Sequence, residues 1–327
     1  MSGTWGNRLT LTLFGESHGP GIGMVIGGFP PGIQVDEARI ATEMARRAPG
    51  QSWMSTPRKE TDKVRILSGV YQGYTTGAPI CGVIENNDPR GGGHFSGRLT
   101  APLVFAGALA REYLSGRGVE VAARIVRLGG VADGPLDEIN EKRLKELRQS
   151  AFPVCSAACG QDMREEIRKA MADEDSVGGV IECIVLGVPA GWGEPHFGSL
   201  ESRISSLLFA VPAVKGVEFG SGFAIADLRG SEANDAFFYQ NNQVETETNH
   251  NGGILGGISS GMPLMVRAAV KPTPSIGRTQ ATVDLEKGCM AELNISGRHD
   301  PCIVPRAVCV VEAAVLLALC EAALEEI

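Results

Sequence analysis

The chain has eight cysteines but no C-x-x-C pair. Its tightest pair, Cys155 and Cys159, has no partner His or Cys pair nearby. No metal site, zinc included, is therefore expected, and the thiols read as reduced and cytoplasmic. A positive charge balance is also missing: 30 Lys and Arg stand against 38 Asp and Glu, a net charge of −8. Without a basic field, nucleic acid is not an expected partner. Local basic clusters inside an acidic protein suit a small anionic ligand instead. The opening MSGTWGNRLT has no apolar h-region, so no secretory leader is expected there. The long apolar run from Ala307 to Leu324 is interrupted by Glu312 and Glu321. It reads as a helix buried in a protein core, with no membrane partner.

What the chain has in quantity is glycine, 43 of 327 residues. Glycines cluster as punctuation, where the backbone must turn or approach a ligand closely. Two stretches match at a constant offset: Gly69-Val-Tyr-Gln-Gly73-Tyr-Thr75-Thr76-Gly77-Ala-Pro79-Ile80 and Gly253-Ile-Leu-Gly-Gly257-Ile-Ser259-Ser260-Gly261-Met-Pro263-Leu264. Upstream, VIGGFPPG (25–32) resembles IVLGVPAG (184–191), each followed by a helical stretch, 36–47 and 199–210. Long apolar helices, about 101–114 and 308–324, close the two series. The order predicts an internal duplication, with halves at about 8–125 and 178–325. Charged amphipathic helices at 137–150 and 161–172 form an insertion of about 135–175. Short alternating strands with hairpin-type turns predict an α+β fold of antiparallel sheets, in a single domain over 1–327.

Gly15-Glu16-Ser17-His18-Gly19 satisfies G-x-S-x-G, the pattern of a serine hydrolase elbow. An elbow needs strand, sharp turn and helix, and the triad histidine comes from a distant loop. Here a second strand-like run follows and the histidine is adjacent. A polar loop whose Ser17 and His18 face a ligand fits better than a nucleophile. RGGGHFSGR (90–98) offers backbone N–H groups, a hydroxyl and two arginines just before a helix, the makings of an anion cradle. KPTPSIG (271–277) presents Thr273 and Ser275 on a rigid loop suited to a phosphate or a flavin edge. SGRHDPCIVPRA (296–307) places Arg298, His299, Asp300 and Arg306 before the last apolar helix, where a salt-bridged cap is the alternative reading.

In order, GESHGPGIG, ARRAPG, LSGV–TTGAPI, GGGHFSGR, NGGILGGISSGMP, KPTPSI and GRHDPCIVPRA together closely resemble the chorismate synthase family, in the variant wording of clostridia. The resemblance implies a β-α-β sandwich with duplicated halves around long core helices. It implies a lyase that eliminates phosphate from 5-enolpyruvylshikimate-3-phosphate to give chorismate, dependent on reduced FMN. It assigns His18 the protonation of the departing phosphate, a role suited to imidazole, and Ser17 a place in the flavin and substrate hydrogen-bond network. Ser96 and Arg98 align with substrate-holding groups, and Arg46 and Arg47 with an arginine cluster near substrate. His94, Phe95, Ser96, Pro212, Ala213, Gly256, Lys271, Pro272, Thr273, Pro274, Ser275 and Arg298 align with flavin contacts. Arg298 also aligns with a substrate contact, and Asp300 with the acid that assists proton transfer. A cytoplasmic homotetramer is implied.

Two departures stand out. Ala48 and Met54 occupy positions where relatives have arginines linked to NADPH, so an external flavin reductase becomes the alternative partner. The family segment Pro-Arg-Pro-Gly-His-Ala-Asp, with its second histidine, is absent: VIENNDPR (83–90) runs straight into GGGHFSGR. Either the segment is deleted, leaving a flavin- and anion-binding relative with impaired catalysis, or a flexible stretch is omitted. An active-site lid is a usual place for such a gap, which favours the second account.

Overall fold

A computed structural model describes residues 3–50, 53–54, 62–86, 96–240, 242–295 and 300–326. Two five-stranded sheets enclose a layer of helices. The first comprises β1 (Thr4–Trp5), β2 (Thr10–Gly15), β3 (Gly21–Gly27), β4 (Val64–Ser68) and β7 (Ile80–Glu85), in the order β1-β2-β3-β7-β4. A small hairpin of β5 (Val70–Tyr71) and β6 (Tyr74–Thr75) hangs from it. The second comprises β8 (Glu120–Leu128), β9 (Val131–Ala132), β10 (Gly179–Leu186), β11 (Val214–Phe219) and β16 (Leu264–Val270), in the order β11-β16-β10-β8-β9. Hairpins β12 (Phe237–Gln240) with β13 (Gln243–Thr246), β14 (Ile254–Leu255) with β15 (Ile258–Ser259), and β17 (Gln280–Asp284) with β18 (Cys289–Leu293) complete the strands. All the sheet pairings are antiparallel.

Between the sheets lie α1 (Glu37–Arg47), α2 (Thr100–Ser115), α5 (Leu200–Ala210) and α7 (Val304–Glu325). Helix α1 starts where the Asp36 carboxylate accepts the backbone N–H groups of Ala38 and Arg39, at 3.0 and 3.1 Å. It ends with Arg46 and Arg47 in its last turn, where cations suit the helix dipole. Helices α2 and α7 are apolar on nearly every face and buried on nearly every face, as core helices must be. They cross closely: a Cβ on Gly107 would lie 2.4 Å from the Ala313 Cβ. The α7 run that is long and apolar enough to cross a membrane is fully buried here. Its two buried acids, Glu312 and Glu321, have partners. The Glu321 carboxylate accepts the backbone N–H groups of Asn7, Arg8 and Leu9, and Glu312 meets two arginines described below.

The two sheets share one plan. Read from the β1 edge and from the β9 edge, the orders β1-β2-β3-β7-β4 and β9-β8-β10-β16-β11 correspond strand for strand. The matched hairpins repeat their hydrogen bonds as well. Thr75 Oγ1 donates to the Pro30 carbonyl at 2.6 Å and accepts from Ile33 N at 2.9 Å. Ser259 Oγ donates to the Pro189 carbonyl at 2.6 Å and accepts from Trp192 N at 2.9 Å. A β-hydroxyl at this position closes the same Pro-Gly turn onto the same hairpin, which is why the pattern needs Thr or Ser there. Strand β8 takes in the second sheet the place β2 takes in the first. The insertion, α3 (Glu141–Gln149) and α4 (Ala157–Ala172), therefore separates β9 from β10. Helix α3 packs on β8, with Leu144 and Leu147 against Ala122 and Ile184. The short α6 (Gly230–Ala233) lies between β11 and β12.

Candidate active site

The GESHG stretch forms the turn between β2 and β3, two antiparallel strands. Gly15 has φ +89, and a Cβ there would lie 2.3 Å from the Gly21 carbonyl oxygen, so the turn requires glycine. A strand, not a helix, follows Ser17, which removes the geometry of a nucleophile elbow. Ser17 is fully buried and His18 is exposed. The turn is held by Asn86, just after β7. Its Nδ2 donates to the carbonyls of Glu16 and Gly19, both at 2.9 Å, and its backbone N–H to Pro20 O at 3.0 Å.

The same Asn86 ties this turn to an arginine cluster. Its Oδ1 accepts from Arg98 Nε at 3.0 Å. Arg98 lies in the single 3-10 turn that leads into α2, with the Ser96 hydroxyl accepting its backbone N–H at 3.2 Å. Its guanidinium pairs with Asp62, and so does that of Arg47, whose Nε donates to Asp62 Oδ2 at 2.8 Å. The three side chains are buried. From the start of α7, Arg306 pairs with Asp300. Burial holds the Arg306 pKa below the usual arginine value; Asp300 and Asp62 oppose that shift and Arg47 adds to it. Arg47, Asp62, Arg98, Asp300 and Arg306 therefore form one electrostatic neighbourhood, joined through Asn86 to the His18 turn.

Arg46 is not in it. Successive helical residues point about 100° apart, and Arg46 turns into the core. There it donates to Glu312 at 2.6 and 2.9 Å and to Glu43 at 2.6 Å. Arg111 reaches the same Glu312 at 2.8 Å, and Arg148 of α3 reaches Glu43 at 2.9 Å. Burial pushes the Glu43 carboxyl up, but the guanidiniums of Arg111, Arg46 and Arg148 outweigh it and hold the group at about 2 against an ordinary 4.5.

The residues expected at the flavin fall into two described groups. Pro212 and Ala213 end the turn after α5, and Ala213 has φ +76, in the left-handed region. Lys271 N donates to Ala213 O at 2.9 Å, so the 271–275 loop lies against that turn. The loop is braced by Ser176, whose hydroxyl donates to Thr273 O at 2.7 Å. Thr273 Oγ1 is buried with no hydrogen-bond partner among the described residues, and Lys271, Pro272 and Pro274 are exposed beside it. An orphaned hydroxyl next to a lysine, with Ser275 following, fits a bound group that brings its own polar atoms. Gly256 stands apart, in the β14–β15 hairpin turn, where it has φ +59. The matching turn of the first half has Gln72 at φ +49, so the hairpin alone accounts for that backbone. His94, Phe95 and Arg298 lie outside the described residues. The structure adds Asn86 and Asp62, which the sequence does not single out, and pairs Arg306 with Asp300 as the salt-bridged cap reading anticipates. The signal for Asp62 was weak, an acid a few residues before a strand.

Comparisons with known proteins follow the same residues. The family model described as chorismate synthase matches residues 9–90 and 85–324. A chorismate synthase of Dehalococcoides mccartyi is 44% identical over 355 residues, covering 99% of this chain and 97% of its own. One of Methanocella arvoryzae is 45% identical, covering 97% of this chain and 92% of its own. A crystal structure of chorismate synthase, 28% identical, superposes with a TM-score of 0.80 over 98% of this chain and 93% of that one. The alignment with the Dehalococcoides protein is longer than this chain, and the family match divides at 85–90. Relatives thus carry residues that this chain lacks, and the division falls where the sequence reading placed the gap. Apart from that division, the match runs unbroken through the His18 turn, both paired arginines and the core helices, and the chain belongs to the chorismate synthase family.

Proposed function

We propose that this chain catalyses the 1,4-anti elimination of phosphate from 5-enolpyruvylshikimate-3-phosphate, giving chorismate in the shikimate pathway, with reduced FMN bound. The observation that carries the reading is the Asn86 bridge, which ties the turn that carries the exposed His18 to the buried Arg98. The substrate has two carboxylates and a phosphate, so it needs positive charge inside an acidic protein. The arginine cluster supplies that charge. His18 donates a proton to the departing phosphate oxygen, and Ser17 orders the turn that presents it. Asp300, fixed by Arg306, takes up the ring proton that the elimination releases. Protonation of the leaving group is assigned to His18 alone, and the family's second histidine, near the flavin in relatives, has no aligned counterpart in this chain.

Ala213, Lys271, Thr273 and Ser275 would hold FMN, with Thr273 Oγ1 and the Lys271 ammonium meeting its polar atoms. Pro212, Pro272 and Pro274 would keep the two loops rigid around it. When bound, reduced FMN supplies electron density to the substrate ring and is regenerated, so no net oxidation occurs. Ala48 and Met54 are both buried in this protein. Apolar burial at the positions that relatives link to NADPH supports an external flavin reductase as the electron source. The working form in this proposal is a cytoplasmic homotetramer. Anaerobic assay with reduced FMN tests the function: chorismate and phosphate should appear in equal amounts, with reduced FMN conserved. Equal turnover with oxidised FMN in air would sink the proposal.

A further inference from the structure

The turn that carries His18 and the arginine that leads into α2 meet at one side chain. Asn86 follows β7 and is half-buried. Its backbone N–H donates to Pro20 O at 3.0 Å, one residue beyond the Gly21–Glu85 pair that ends the β3–β7 ladder. The sheet therefore fixes where Asn86 stands, whatever its side chain. The amide then reaches two ways. Nδ2 donates to Glu16 O and Gly19 O, both at 2.9 Å, and so clamps the residues on either side of Ser17 and His18. Gly19 N closes the same turn by donating to Glu16 O at 3.0 Å. At the other end Oδ1 accepts from Arg98 Nε at 3.0 Å. The amide fits in one sense only. Turned over, it would set Oδ1 against two carbonyls and Nδ2 against an N–H donor. An ionised aspartate would lack the donors, and alanine would lack both ends.

We propose that Asn86 is a positioning residue that sets where His18 stands relative to Arg98, and so places the proton donor against the anion the arginine attracts. Asn86 acts through the turn at one end and through the guanidinium at the other. It holds Arg98 by Nε, so the Nη groups are not what the bridge uses. The planar amide is short and stiff, which makes it a spacer between the two groups. Its bearing on turnover rests on the function proposed above. Its hold on the turn does not.

The test uses the full chain and two variants. Asn86→Asp keeps the size and the acceptor for Arg98 Nε, and turns both contacts with the turn from attraction to repulsion. Asn86→Ala removes both ends and adds no charge. Both keep the backbone bond to Pro20 and should fold. The first measurement is amide hydrogen exchange. Gly19 should exchange at least about fivefold faster in each variant, the effect of lost hydrogen bonds on local opening. Strands β2 and β3 should exchange at the parent rate. Unchanged exchange at Gly19, or a uniform rise through both strands, overturns the proposal. The second measurement is turnover at saturating substrate with reduced FMN. In each variant kcat should fall about ten- to a hundredfold, the effect of a misplacement near 1 Å, while the charge that aspartate adds beside Arg98 is felt in KM. A fall with N86D but not with N86A would make charge the cause rather than position, and overturns it. The third measurement repeats both variants on a His18→Ala background. With the proton donor gone, neither should slow the enzyme more than about twofold further, because the two residues act as one unit. A further fall as large as in the parent protein would mean that Asn86 does not act through His18, which also overturns the proposal. A parent protein that makes no chorismate would defeat the functional reading instead, and exchange at Gly19 would then decide whether Asn86 holds the turn.

Discussion

Two ion clusters begin at adjacent residues of α1 and differ in every respect that matters. Arg46 enters a core network with Glu43, Arg111, Arg148 and Glu312, and Glu120 lies 3.9 Å from Arg148. Three positive and three negative charges balance there, and the partners come from α1, α2, α3, α7 and β8. Arg47 enters the site cluster, where three arginines face two carboxylates among the described residues. Balance suits a network that ties elements together, because a buried charge without a partner costs several kcal/mol. Surplus suits a place where an anion arrives to complete it. On the proposed function, one helix end serves both stability and the site, with the two roles divided by a single 100° step.

The sharpest way to break this division is at the site. His18→Ala should lower kcat by roughly 10²–10⁴, the usual contribution of a positioned general acid. The thermal midpoint should stay where it is, because His18 is exposed. Normal kcat in that variant would make His18 structural and leave the surplus charge without a chemical purpose.

Glu312→Ala should do the opposite. It strips the shared carboxylate from Arg46 and Arg111 and an acceptor from Ala123 N, all on the core side. Breaking a buried pair by removing one partner costs about 3–5 kcal/mol, to be read by denaturant unfolding. At a temperature where the variant remains folded, KM should match the parent protein. A raised KM with unchanged stability would merge the two clusters into one.

Crossing helices α2 and α7 offer a smaller, purely steric check. Gly107→Ala places a methyl 2.4 Å from the Ala313 Cβ. Overpacking of this kind typically costs about 1–3 kcal/mol. A folded variant of unchanged stability would mean that the helix layer has slack, and that the core network alone fixes the spacing of α2 and α7.

Much of the frame was legible in the sequence. The matched G-x3-G-x-[TS]-[TS]-G-x-P hairpins were legible because a turn with φ > 0 and a capping hydroxyl leave a fixed residue signature. The helices at 36–47, 101–114, 199–210 and 308–324 followed from apolar spacing and appear within a few residues. The position of β8 did not follow: a strand partner is chosen by tertiary packing, and nothing local says which sheet it joins. Arg46 and Arg47 read alike in sequence and diverge only once helical phase and the neighbouring acids are known. Asp62 and Asn86 were silent for the same reason. Their roles come from contacts 15 to 70 residues away in the chain.

The comparison sharpens last under acid, where the core network should lose its advantage by a predictable route. Glu43 has its pKa held at about 2 in the folded protein against an ordinary 4.5, because three guanidiniums outweigh the effect of burial. A carboxyl with a depressed folded pKa stabilises the fold fully above its unfolded pKa. That contribution fades as pH falls from about 4.5 and is gone below about 2. A shift of this size corresponds to up to about 3 kcal/mol. Its loss is spread across the window, so the visible effect near pH 4 is small. Glu43→Gln removes the titrating group and keeps the shape. Its stability should be lower at neutral pH, and its unfolding free energy should fall less steeply than that of the parent protein between pH 4.5 and 2. The quantity to measure is the difference between the two slopes, by denaturant unfolding at several pH values. Parallel slopes would mean that Glu43 does not carry the acid sensitivity. The stability assigned to the balanced cluster would then have to come from Glu312, which meets Arg46 and Arg111 from α7.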